Sequence, residues 1–259
     1  MITAKGFAST FKYMSMFKEG LICTVSLSAL TVVFGFILAL VLAVLRLSNI
    51  NVFRFLSRES QWRLREKGGI VYALSTFNPI SFFANIYVEI FRATPMLVQL
   101  FIIYHVVFHG VDLPDFKLFG FIRFDRFIPG VVALALNSAA YLSEIIRAGI
   151  QSIDGGQTEA ARSLGMTQAQ NMRYIILPQA IKNILPAIAN EFVTIIKESS
   201  ICWTIGVQEI MSAVNSIKAA TYTVGEAAII AACVYFCLTF PTSKIIEYFE
   251  RKMSRGDKR

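Results

Sequence analysis

The sequence predicts an all-α, polytopic membrane protein, and three observations carry that prediction. Hydrophobic residues make up 55% of the 259 residues, and the mean hydropathy is +0.58, a balance that belongs to membrane chains. Residues 21–45 hold no charge, and about 20 apolar residues suffice to span a bilayer as helix. The basic residues gather beside the apolar runs: Arg54, Arg58, Arg63, Arg65 and Lys67 after the first, Lys244, Arg251, Lys252, Arg255, Lys258 and Arg259 after the last. Lys and Arg are placed this way on the cytoplasmic side of spans. The net charge of +8 is thereby accounted for without nucleic acid, because no folded recognition module is interleaved with these residues.

Five spans are the simplest parse of a single domain, over roughly residues 20–46, 91–109, 127–147, 184–204 and 222–243. Lys12 and Lys18 precede the first run, but a signal peptide would have a much shorter apolar region and a small-residue cleavage site. The first run is therefore expected to stay as a span. An odd count puts the termini on opposite sides. With the basic segments inside, the N-terminus is expected outside and the C-terminus in the cytoplasm. Residues 47–86 form an extended cytoplasmic segment. Its charge-free stretch, 68–88, is read as an amphipathic elbow on the inner surface, because Gly68-Gly69, Ser75-Thr76 and Asn78-Pro79 interrupt it as a sixth span.

Between the third and fourth spans stands a polar, turn-punctuated segment, residues 154–178. Gly155-Gly156 break the chain, and Thr158 is expected to cap a short helix with Glu159 in its first turn. Ala160, Ala161 and Leu164 then supply a small apolar face, and Gly165 suits the left-handed position that ends a helix. Thr167 and Gln170 have the spacing of a capping box opening a second helix. Pro178 disfavours helix at Leu177 and is expected to bend the chain there. The product is a rigid elbow with a shallow apolar surface, suited to a partner's groove.

The third and fourth spans carry polar groups where lipid would penalise them by about 2.5–3.5 kcal/mol per charge. Asn137, Tyr141 and Glu144 share one helical face, with Ser138, Ala139 and Ala140 small enough for close packing beside it. Asn190, Thr194 and Lys197 form a second stripe, with Glu191 and Glu198 adjoining. The two faces are expected to line a route for a charged or zwitterionic solute. The alternative for each residue is an interhelical hydrogen bond or an end-of-span ion pair, as the spacing of Glu144 and Arg147 allows. Cys23, Cys202, Cys233 and Cys237 show no metal spacing and read as packing residues. His105 and His109 stand one turn apart without a further ligand nearby, so no metal is expected.

The elbow, EAA followed by Gly165 and the ILP of residues 176–178, resembles the EAA coupling loop of ABC importer permeases. The segments YVEIFRATPMLVQ (87–99), NSAAYLSEIIRAGIQSI (137–153) and KESSI (197–201) are similar to the permeases of polar amino acid ABC importers, the group handling histidine, glutamate, glutamine, arginine and opines. The likeness covers the first span and most of the chain from Tyr87 onward, and departs at 47–86, longer here than the family's usual connector. It implies a type I ABC importer permease: five helices around a translocation path for an amino acid. It also implies a second permease subunit, identical or related, two ATP-binding subunits inside and a solute-binding protein outside, all at a lipid membrane. Glu159, Ala160, Ala161, Leu164, Gly165 and Pro178 would couple to the ATPase. The chain itself is expected to be no enzyme and to need no cofactor, since it has no G-x-x-x-x-G-K-[ST] loop. ATP and Mg would sit on the partner. A secondary transporter or channel for small polar solutes is the alternative. It would need no such elbow, and a secondary transporter would show inverted repeats.

Overall fold

The computed structural model describes residues 2–48 and 77–254. The basic cluster at 54–67, the expected surface elbow up to residue 76 and the end of the tail lie outside these residues. Helix α1 (Ala4–Phe11) leads into α2 (Met14–Leu47). After residue 76 come α3 (Pro79–Ala93) and α4 (Met96–Ile102), the latter widened into a π-turn over Ile103–Val107. A two-residue hairpin, β1 (Lys117–Leu118) and β2 (Ile122–Arg123), pairs antiparallel and is the one departure from all-α among the described residues. Helix α5 (Phe124–Gln151) follows, then α6 (Gly155–Ser163), α7 (Gln168–Asn171) and α8 (Leu177–Glu198). A 3₁₀ segment (Ser199–Ile205), α9 (Ile210–Thr221) and α10 (Val224–Ser254) complete the chain.

Among the described residues three helices, α2, α5 and α10, are long and apolar enough to cross a membrane, and the α3–α4 pair passes the same test as one span bent by 112°. The span expected at 91–109 falls on this bent pair. Its first residues belong to α3, and the connector expected through residue 86 ends where α3 starts at Pro79. The cause of the bend is Thr94-Pro95, since a residue before proline is pushed out of the helical region; Thr94 is extended at φ −109°, ψ 145°. The carbonyls freed by the break need donors, because lipid supplies none. Gln99 Nε2 reaches Phe91 O at 2.8 Å and Thr94 O at 3.0 Å.

The core runs along the contact between α2 and α5. Gly35 lies so close to α5 that an added Cβ would sit 3.2 Å from Ser138 Oγ. Ala39 and Ala43 meet Leu142 and Ile146 nearby. Small residues let the two backbones approach, which is the main source of helix attraction where lipid removes the hydrophobic drive. The opposite face of α2 exposes Phe34, Ile37, Val41 and Val44, an apolar surface that only lipid or another subunit could cover at modest cost.

Beyond the core, α9 opens on a buried acid. Glu209 is fully buried and accepts from Met211 N and Ser212 N, each at 2.8 Å, and from Tyr235 Oη at 2.8 Å. Burial outweighs these three donors and pushes its carboxyl up to about 7. A raised carboxyl favours the folded state fully below its ordinary value near 4.5, and that contribution is lost as pH rises through about 7. Thermal stability should therefore fall between pH 5 and pH 8 by an amount of order 2–3 kcal/mol. In Glu209→Gln that slope should be flattened. Superimposable pH profiles for the two proteins would assign the dependence to other groups.

Candidate coupling elbow and translocation site

Residues 154–178 fold as helix, turn, helix. Asp154, rather than Thr158, caps α6: its Oδ1 accepts from Gly156 N at 2.9 Å. The two glycines lie inside the first turn, so they begin the helix instead of breaking the chain. Thr158 sits one turn further in, where its Oγ1 accepts from Asn171 Nδ2 at 3.2 Å and ties α6 to α7. Gly165 adopts φ +80°, the left-handed conformation that glycine enters without steric penalty. The capping box forms in both directions, with Gln170 N donating to Thr167 Oγ1 and Thr167 N donating to Gln170 Oε1.

The elbow's outer surface is narrower than Ala160, Ala161 and Leu164 together. Ala161 is turned inward and buried, because the return of α7 across α6 covers that side. Leu164 is 83% exposed, and Glu159, Ala160 and Gly165 are exposed beside it. An apolar side chain this open, on a segment locked by caps at both helices, is prepared to enter a groove on another protein.

Pro178 does not end the helix at Leu177, which is helical at φ −60°, ψ −43°. Proline lacks the N–H that would meet the carbonyl four residues back, and its ring crowds that carbonyl. A π-turn over Met172–Ile176 widens the helix just before it. Gln179 Nε2 then supplies Ile175 O with a donor at 2.8 Å. The result is a continuous helical segment from the elbow through α8, with a second proline, Pro186, inside α8.

The two polar faces do not meet as expected. Asn137 is buried, and its Nδ2 donates to Gln99 Oε1 at 2.8 Å and to Phe91 O at 3.3 Å. It splints the α3–α4 break. Glu144 lies 2.8 Å from Arg46 Nη1 on α2 and pairs also with Arg147. Arg46 Nε in turn donates to Asn85 Oδ1 on α3 at 2.7 Å. This charge cluster holds three helices together. Tyr141 is half exposed beneath the Arg92 guanidinium, 5.7 Å from its ring centre. Asn190 is exposed and lines a polar cavity of about 390 Å³ with Lys182, Asn183 and Glu250, toward α10. Glu191 and Thr194 are half-buried on α8, and Thr194 Oγ1 donates to Asn190 O at 3.3 Å. The residues placed on one route thus divide among three surroundings. A side chain's face on its own helix does not say which neighbour that face meets.

Another cavity was not expected. It holds about 520 Å³ and is lined by Lys197 at the end of α8, Ser200, Ile201, Trp203 and Thr204 in the 3₁₀ segment, Leu97 on α4, and Met211 and Tyr235 on α9 and α10. It joins one cation, three hydroxyl groups (that of Tyr235 donating to Glu209) and two aromatic rings, a mixture suited to a small charged solute. Part of it was legible, since Lys197, Ile201 and Thr204 recur at helical spacing. Trp203 and Tyr235 carried no local signal. Among the cysteines, Cys23 and Cys202 are buried, while Cys233 and Cys237 are exposed on α10. His105 is exposed and packs edge-on against Tyr104, with ring centres 4.8 Å apart.

Comparison with known proteins agrees with this architecture. Residues 68–255 match the family described as binding-protein-dependent transport system inner membrane component. The chain is 38% identical over 251 residues to the arginine transport system permease protein ArtQ of Bacillus subtilis (strain 168), covering 97% of this chain and 98% of that one. It is 36% identical over 235 residues to the putative glutamine transport system permease protein GlnP of Rickettsia typhi, covering 91% of each. A solved structure described as an amino acid ABC transporter with histidines superposes with a TM-score of 0.77 at 41% identity, covering 97% of this chain and all of that one. The inward-facing MetNI methionine ABC transporter, at 18% identity and a TM-score of 0.61, shares the fold. The chain belongs to the binding-protein-dependent transport system inner membrane component family, as a multi-pass ABC importer permease of the type I fold.

Proposed function

We propose that this permease carries a polar or charged amino acid through the membrane, driven by ATP hydrolysis on separate partner subunits. Two ATP-binding subunits dock on the elbow, a second permease chain completes the path, and a solute-binding protein delivers the amino acid from outside. On this reading the chain has five spans, with the bent α3–α4 pair counted as one and α8 with its 3₁₀ extension as another, and the cytoplasmic preference of Lys and Arg argues for an N-terminus outside. The elbow and the C-terminus are then cytoplasmic. The observation that carries the reading is the continuity between elbow and cavity: the rod that begins at the Thr167 capping box ends at Lys197, on the cavity wall. A partner that binds Leu164 differently in its two nucleotide states would shift the cavity between two arrangements.

Lys197 offers its ammonium to the substrate carboxylate, while Ser200 and Thr204 offer hydroxyl groups beside it. Similarity to permeases named for arginine and glutamine transport supports an amino-acid substrate. The test is reconstitution in vesicles with the ATPase and the binding protein, screened against amino acids for uptake and ATP turnover. Lys197→Met should lower uptake about 10- to 100-fold, the loss of one charge-assisted hydrogen bond of about 1.5–3 kcal/mol, with assembly intact. Undiminished uptake in that variant would move the carboxylate site elsewhere. Uptake without any ATPase would favour the channel reading.

A further inference from the structure

Away from the Lys197 cavity, an apolar groove of about 580 Å³ runs between the N-terminal segment and α10. Its walls are Phe7 and Phe11 of α1, Met14 and Leu21 of α2, and a face of α10 that includes Cys233 and Leu238. Every lining side chain is apolar. From Ile229 to Leu238 the groove follows α10 for about 14 Å at 1.5 Å per residue. On the topology proposed above, α2 and α10 both enter the membrane at this end, from the outer face, so the groove starts at the lipid–water boundary and descends along them.

The wall formed by α1 is held in place. Thr3 N donates to Glu226 Oε1 at 3.0 Å, and Thr10 Oγ1 meets Thr223 Oγ1 at 3.2 Å. Gly6 is pressed against Glu226, where an added Cβ would lie 2.1 Å from Oε1. The rim is basic. Lys5, Lys12 and Lys18 are exposed and form no ion pair among the described residues. Lys18 falls on the same helical face as the groove residues Met14 and Leu21, and Lys12 directly follows Phe11. Of the nearby carboxylates, Glu226 accepts from the Thr3 amide, and Glu19 lines a separate polar pocket with Glu209.

We propose that this groove is a binding site for one anionic phospholipid, with an acyl chain between α1 and α10 and the phosphate on Lys12 and Lys18. Charge selects this occupant. A neutral lipid or a second permease chain would cover the apolar wall but leave the lysines without counter-charge. Basic residues at a membrane surface each favour anionic lipid by about fivefold. The fixed wall removes the ordering penalty that a free N-terminal segment would carry.

Native mass spectrometry of the intact importer, titrated with phosphatidylglycerol or phosphatidylcholine, tests the site. One phosphatidylglycerol per permease chain should bind saturably and about 25-fold tighter than phosphatidylcholine. Lys12→Gln with Lys18→Gln should abolish that preference while leaving weak binding of both lipids. Cys233→Phe, which fills the groove but leaves the rim, should remove saturable binding of both; its assembly with the ATPase reports correct folding. Equal affinity for the two lipids in the unaltered protein, or non-saturable binding, overturns the proposal. So does efficient cross-linking of Cys233 to the same residue of a second chain, which would assign the groove to a subunit contact.

Discussion

Replacing Glu144 with alanine should destabilise the permease by about 3–5 kcal/mol, the usual result of removing one partner from a buried ion pair. Arg46 is the reason. Its side chain is 6% exposed, fixed by Asn85 on one side and by Glu144 on the other, and without the carboxylate its charge is left uncompensated away from water. Arg147 is less affected, since its Nη1 keeps Gln151 Oε1 at 2.7 Å. Adding Arg46→Met to the same chain removes the orphaned charge and should restore most of the loss, because well-packed apolar replacements of buried pairs are often neutral. Thermal midpoints of the purified complexes read both steps. A Glu144→Ala midpoint equal to that of the unaltered protein would show that water already screens the cluster.

Leu164→Asp should weaken binding of the ATPase by about 30-fold or more, the effect of losing a contact worth at least 2 kcal/mol. The position is 83% exposed, so folding and membrane insertion should be unaltered, unlike the Glu144 case. Pull-down of the ATPase by the permease in detergent, with ATP turnover of the assembled importer in parallel, distinguishes the two effects. Normal ATPase recovery with Asp at this position would remove Leu164 from the interface and shift docking toward Glu159 and Ala160.

The elbow was legible in the sequence because its shape is set by neighbours in the chain. A left-handed glycine and a capping box depend on two or three residues each, and Gly165, Thr167 and Gln170 all adopt the expected conformations. The misread details there were local competitions. Asp154 precedes the two glycines and captures the helix start before Thr158 can, and the π-turn absorbs Pro178 without ending the helix. The broken span had a signal that was present but unused, namely Thr94-Pro95 within an apolar run, with Gln99 one turn beyond it to satisfy the opened carbonyls. The polar faces were the least legible. Asn137 and Glu144 lie seven residues apart on one helix, yet one meets a backbone break and the other a cation from α2. Only the packing of α5 against both neighbours decides that, and packing is not written in the periodicity of a single helix.

The continuous helical segment from the elbow through α8 also has a mechanical consequence. From Gln168 to Glu198 it measures about 45 Å at 1.5 Å per residue. A tilt of only 5° at one end sweeps the other through about 4 Å, comparable with the radius of an amino acid. A beam of this length needs no large rearrangement at its driven end, and its hydrogen bonding departs from the α pattern at two points, the π-turn over Met172–Ile176 and Pro186 within α8. With the elbow as the driven end, as proposed above, the π-turn lies close to it, and nearly the whole beam lies beyond it as the long arm of a lever. Stiffening the turn would therefore change the stroke at Lys197 more than any change of equal size further along the arm.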